Sequence, residues 1–180
     1  QSMRIDLHCH SRFSHRPTLW IMQKLGIPES FSQPRELYNA VKLLGMNAVT
    51  ITDHNMIDGA LDIADLPDTF ISCEYTTYFP EDNCKVHILA YNISEEQHSV
   101  CLEARKNIFE FTEYLNENNI AHACAHPFFG PNDRLQAHHI EKLLLLYKVW
   151  EYNGDLAPEM NDSMQSLLDS LTQADIARMS

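Results

Sequence analysis

The chain has 180 residues, 44% of them hydrophobic and 21% charged, and a formal charge of −12 from 25 acids against 13 bases. That length suits one domain burying about 70% of the surface its unfolded chain exposes, and the composition excludes a disordered tail, a collagen-like fibre and a low-complexity segment. No apolar run approaches the roughly eighteen residues a membrane span needs, and the acidic balance argues against nucleic acid or anionic lipid as partner, because Lys and Arg supply most of that affinity.

Gln1-Ser2-Met3 reads as a purification-tag remnant plus a start Met, which leaves residues 4–180 to fold. Residues 5–10 read as a strand. Residues 34–44 read as a helix: Pro34 suits its first turn, Leu37, Val41 and Leu44 keep helical spacing, and Gly45 can cap its end. Residues 48–52, 69–73 and 86–91 are β-branched or apolar strands. One long helix is expected after Ser94, with Cys101, Ala104, Ile108, Phe111 and Leu115 at steps of three and four and Asn118-Asn119 as its cap. A strand over 120–125, a helix over 138–146 and a strand over 148–152 follow. Met160, Met164, Leu167 and Leu171 continue the helical period, and Thr172-Gln173-Ala174-Asp175 resembles a capping box. Such alternation predicts an α/β fold with a parallel sheet covered by helices. An open sheet would be complete at this length, whereas a barrel would need more chain.

Ten histidines in an acidic chain suggest held divalent cations. Five cysteines, odd in number and without a C-x-x-C pair, fit free thiols in a reducing cytosol. The strongest chemical signal is Asp6-Leu7-His8-Cys9-His10-Ser11. Side chains alternate on a strand, so Asp6, His8 and His10 share one face, and two imidazoles so spaced reach one metal ion. Exposed strand histidines are the competing explanation, disfavoured by the apolar Ile5, Leu7 and Cys9. Thr52-Asp53-His54-Asn55 sits at a strand's carboxyl end, where α/β enzymes keep their chemistry, although a turn would equally explain Asn55. Glu74 closes an apolar strand, where a carboxylate is costly unless paired or metal-bound. His87 lies alone in Val86-His87-Ile88-Leu89-Ala90-Tyr91 and divides evenly between core residue and ligand. His126 ends another strand, in Ala125-His126-Pro127-Phe128. His98, His122, His138 and His139 match no motif and are assigned to structure.

Together these segments resemble the motifs of the PHP (polymerase and histidinol phosphatase) family: D-x-H-x-H, T-D-H-N, a Glu followed by H-I-L-x-Y, and A-H-P. Glu151-Tyr152-Asn153-Gly154 resembles the family's E-x-x-N-G segment. The chain is particularly similar to PHP domains that precede a glycosyltransferase module in some bacterial proteins. The resemblance implies a distorted (β/α)7 barrel of TIM-like type, a cytoplasmic enzyme, and up to three zinc, manganese or iron ions that hydrolyse a phosphorylated small molecule. In that scheme His8 and His10 bind the first metal, Glu74 bridges it to a second completed by His87 and His126, and His15 with His54 serve a third. Mixed imidazole and carboxylate ligands suit such metals better than calcium or magnesium.

Asp53 would act in catalysis, Asp6 would orient a ligand histidine, Arg12 and Arg16 would clamp phosphate, and Asn153 would line the mouth. Residues 17–31, with Trp20, Ile21, Met22 and Leu25, form an apolar insertion expected as a packed helix or a lid. The family's terminal D-x-H is absent, since Asp155, Asp162, Asp169 and Asp175 lack a histidine two residues on. The expected domain is therefore truncated before its last motif, with metal occupancy ranking second site, first, then third. A structural or regulatory PHP module of a larger enzyme, or a C–N bond hydrolase, are the alternatives.

Overall fold

The computed structural model describes residues 3–14, 32–125 and 135–151, and all of these but Glu151 fall in one compact unit, Gln1–Trp150. The expectations at His15, Arg16, 17–31, His126, Tyr152, Asn153, Gly154 and the tail lie outside the described residues.

Strand β1 (Ile5–Asp6) pairs in parallel with β2 (Ala48–Val49). Both are shorter than expected because the chains stop exchanging regular ladder bonds beyond them. The Thr52 N–H still donates to Cys9 O at 2.7 Å, but the Cys9 N–H donates to the Thr52 hydroxyl at 3.0 Å, a side chain standing in for backbone. Leu7 is 43% exposed, so the expected apolar reverse face does not form there. Helix α1 (Pro34–Leu43) begins on its proline. It ends on Gly45 at φ 81°, with Gly45 N–H on Lys42 O and Met46 N–H on Val41 O, the paired bonds of a Schellman cap. The single-turn α2 (Asp58–Asp62) escaped the sequence reading because five residues carry no periodicity.

The second sheet corrects the expectation of a parallel one. Strands β3 (Ser72–Tyr78), β4 (Lys85–Tyr91) and β5 (Ala121–Cys124) form an antiparallel sheet in the order β3-β4-β5. The 79–84 connection is too short for a parallel crossover, and Asn83 at φ 57° turns the chain back. Parallel geometry persists in β1·β2 and in the bridges Val49–Thr69, His54–Glu74 and Cys124–Trp150, the last standing where a strand over 148–152 was expected. Among the described residues no closed barrel forms; the architecture is mixed α/β.

The long helix expected after Ser94 is two helices, α3 (Glu95–Ala104) and α4 (Ile108–Glu117). Asn107 breaks it: its side chain accepts the Phe109 N–H and starts α4 afresh. Ala104 and Ile108 keep helical spacing across the break, which is why the pattern reads as continuous. Asn119, at φ 51°, closes α4 as expected: Ile120 N–H bonds Leu115 O and Asn119 N–H bonds Asn116 O. Helix α5 (Ala137–Leu146) completes the described elements.

Two apolar clusters result. Tyr75, Phe79, Val86, Ile88, Phe111, Leu115 and Leu143 pack the antiparallel sheet against the helices, while Val41, Val49, Ile51, Ala60 and Ile63 pack under β2. The His54–Glu74 bridge joins the chain leaving β2 to β3. All five cysteines are free thiols; burial pushes Cys9 up to about 12 and Cys101 to about 11, so neither is a ready nucleophile. Among the described residues no helix is long and apolar enough to cross a membrane.

Candidate metal centre

Glu74 on β3 has no exposed surface. Its cross-strand partner is Leu89 and that of Thr76 is His87, so His87 stands diagonal to Glu74 on the same sheet face. The His87 Nδ1 lies 2.9 Å from Glu74 Oε1. The other carboxylate oxygen, Oε2, has three imidazole nitrogens around it: His54 Nδ1 at 3.1 Å, His10 Nε2 at 3.1 Å and His8 Nε2 at 3.2 Å. His8 and His10 face each other through Nε2 at 3.0 Å, and the His10 and His54 rings stack at 4.6 Å. His54 and His87 are buried, whereas the side chains of His8 and His10 are 17% and 19% exposed, so the cluster opens to solvent on the His8/His10 side.

Two ligand groups therefore share one carboxylate: His8, His10, Glu74, and His54, Glu74, His87. The donor chemistry fits divalent zinc, manganese or iron. The spacing fits as well, since bonds of about 2.0–2.1 Å to one ion put neighbouring ligand atoms roughly 2.9–3.4 Å apart in octahedral or tetrahedral arrangements. His54, expected with His15, lies at Glu74 with His87.

The remaining expected residues stand further back. Asp6 Oδ1 accepts the backbone N–H of His8 at 3.2 Å. Arg12 is exposed, its guanidinium over the Phe13 ring at 5.0 Å. Asp53 is buried and turned to the loop after β1: Oδ1 accepts the Ser11 N–H at 2.6 Å and the Ser14 hydroxyl at 2.8 Å, and Oδ2 accepts the Ser11 hydroxyl at 2.6 Å. Ser11, Ser14 and Gly59, which touch this carboxylate's space, went unmarked in the sequence, although Ser14 follows His10 at a spacing that lets its hydroxyl reach the ring's Nδ1 at 3.2 Å.

Asn55 fits the turn weighed for it and does a second structural job. At φ 54° it turns the chain, and it also pins β3: its side-chain oxygen accepts the Thr76 N–H at 2.9 Å, its amide donates to the Thr76 hydroxyl at 3.3 Å, and its own N–H bonds Glu74 O. Replacing Asn55 by Ala is expected to cost about 2–3 kcal/mol, from two lost hydrogen bonds and a left-handed residue with a Cβ that tolerates it poorly. Urea unfolding measures this, and an unchanged midpoint would contradict it.

Of the four unmatched histidines, His98, His122 and His139 make hydrogen-bonding contacts within the fold. His98 is buried against the Tyr75 hydroxyl at 2.6 Å, and burial lowers its pKa. His122 Nδ1 meets Ile120 O at 2.7 Å. Asp82, His138 and His139 also cluster, but His139 Nδ1 accepts the Gln136 N–H, which leaves the neutral ring's proton on Nε2, 2.9 Å from Asp82 Oδ2. That nitrogen has no lone pair to give a metal.

No family model matches the chain. An uncharacterized protein of Methanocaldococcus jannaschii is 37% identical over 68 residues, a match spanning only 38% of this chain and 38% of that relative. The crystal structure of a candidate metal-dependent phosphoesterase from Bifidobacterium adolescentis aligns with a TM-score of 0.61 and 14% identity, over 94% of this chain and 84% of that one. An amidohydrolase from Chromobacterium violaceum, solved with sulfate and no metal, aligns with a TM-score of 0.50 and 15% identity, over 79% and 72%. At these identities the likeness shows a shared fold.

Proposed function

We propose that this chain is a metal-dependent hydrolase of the PHP type that cleaves a phosphate ester of a small molecule. The observation that carries the reading is the convergence of four imidazoles on the one buried carboxylate of Glu74. His8, His10 and Glu74 would hold one ion and His54, Glu74 and His87 another, with His15 and His126 added from the family resemblance. Residues 4–180 would form one domain of the distorted (β/α)7 barrel type, in a cytoplasmic protein.

Bound divalent ions supply Lewis-acid polarisation and an activated water nucleophile at neutral pH. The chain's own residues do the rest. Glu74, fixed between β3 neighbours, holds the two ligand groups in one relative position. His8 and His10 form the partly exposed lip through which substrate approaches. Arg12, and Arg16 with it, would hold phosphate oxygens by paired N–H donors. Buried His54 and His87 keep the inner side of the cluster dry, which strengthens every charge interaction there.

Metal-stripped protein reloaded with manganese or zinc is expected to hydrolyse p-nitrophenyl phosphate, to lose turnover on chelation, and to lose it to background in His10→Ala. Turnover indifferent to metal, or unchanged in His10→Ala, would overturn the assignment. The fold shared with an amidohydrolase favours a second reading, C–N bond hydrolysis. Cleavage of an aryl amide by the same loaded protein, with no phosphatase activity, would select it.

A further inference from the structure

We propose that Asp53, acting through Ser14, fixes the tautomer of His10, and so is a positioning residue for the metal centre rather than a catalytic residue touching substrate. The proposal rests on the reading of His10 as a metal ligand. It follows from counting protons around one hydroxyl. Ser14 Oγ has one proton and two lone pairs, and its neighbours are Asp53 Oδ1 at 2.8 Å, His10 Nδ1 at 3.2 Å and the His54 N–H at 3.4 Å. A carboxylate only accepts, so the Ser14 proton goes to Asp53. Both lone pairs then need donors. The His54 N–H is one, and the other is a proton on His10 Nδ1.

A neutral imidazole protonated on Nδ1 has its lone pair on Nε2, the nitrogen facing Glu74 Oε2 at 3.1 Å and His8 Nε2 at 3.0 Å. With a metal on Nε2, the one proton left to the ring is on Nδ1, where the Ser14 lone pair receives it. The arrangement is rigid because Asp53 is itself fixed. The Ser11 N–H and hydroxyl hold it at 2.6 Å each, and burial of Ser11, Ser14 and Asp53 keeps competing water away. Such outer partners commonly change metal affinity 10–100-fold.

Long-range 1H–15N correlation spectra of the imidazoles in zinc-loaded, histidine-labelled protein test this, with His10 assigned by its loss in His10→Gln. The expected wild-type His10 carries its proton on Nδ1. In Ser14→Ala that preference is lost and zinc affinity falls about 10–100-fold. In Asp53→Leu, which keeps the volume but accepts nothing, the Ser14 proton is free to turn to His10 Nδ1 and the preference is lost as well. A proton on Nε2 in wild type overturns the proposal, as does a Ser14→Ala protein that keeps both tautomer and affinity. Should Ser14→Ala fail to fold, the wild-type and Asp53→Leu spectra decide. Read from proton position and zinc affinity, the proposal stands or falls separately from any hydrolytic activity.

Discussion

Replacing Glu74 by Gln is expected to strip both ligand groups of metal and to abolish metal-dependent turnover while leaving the chain folded. The substitution keeps shape and volume but removes the anion. It also places an amide NH2 on one of two oxygens that both face imidazole nitrogens: Oε1 toward His87, Oε2 toward His8, His10 and His54. Whichever way the amide turns, one group meets a donor where it needs an acceptor. Outer partners of metal ligands are worth roughly 10–100-fold in affinity. A ligand shared by two groups must be worth more, so zinc titration should show at least that loss at both groups. The metal-free protein should unfold at a midpoint close to wild type, because relieving a buried carboxylate of its charge offsets the lost imidazole contacts. Wild-type zinc affinity in this variant would remove Glu74 from the centre.

What the sequence shows of this centre and what it hides have separate physical causes. His8, His10, Glu74 and His87 stand out because a polar side chain in an apolar strand needs a partner, and the structure brings all four together. His54 stands out by its motif, yet its place depends on the parallel bridge to Glu74, a long-range pairing that no local pattern encodes. Asp53 looks catalytic because it stands beside His54 at a strand's carboxyl end, where α/β enzymes keep their chemistry. Only the positions of Ser11 and Ser14 show that its oxygens are engaged. Sheet direction was misread because hydrophobic period reports burial, and β4 is buried on both faces whether its neighbours run parallel or antiparallel. The short 79–84 connection held the correcting information. The caps at Gly45 and Asn119 were legible because a left-handed residue at a helix end is a local requirement.

Gly59→Ala is expected to destabilise the protein by about 2–4 kcal/mol and to weaken metal binding, against the usual effect of that exchange. In a helix with ordinary backbone angles, Ala is normally favoured over Gly by up to about 1 kcal/mol. Here a Cβ would sit 2.3 Å from Asp53 Oδ2, 2.6 Å from Ser11 Oγ and 3.2 Å from Ile51 Cγ2. Oδ2 is the end of a side chain, but not one free to swing away. It accepts the Ser11 hydroxyl, and the same carboxylate's Oδ1 accepts Ser11 N–H and the Ser14 hydroxyl. Turning it aside breaks hydrogen bonds to a charged group, about 1.5–3 kcal/mol each, in a place where no water can replace them. Moving α2 instead opens the packing of Ala60 and Ile63 against Ile51. Either route disturbs the hydroxyl that faces His10, so zinc affinity should fall with stability. Urea unfolding of the metal-free protein and zinc titration measure the two effects. A Gly59→Ala protein more stable than wild type, as helix propensity alone would have it, would show that the contact around Asp53 is looser than these distances require.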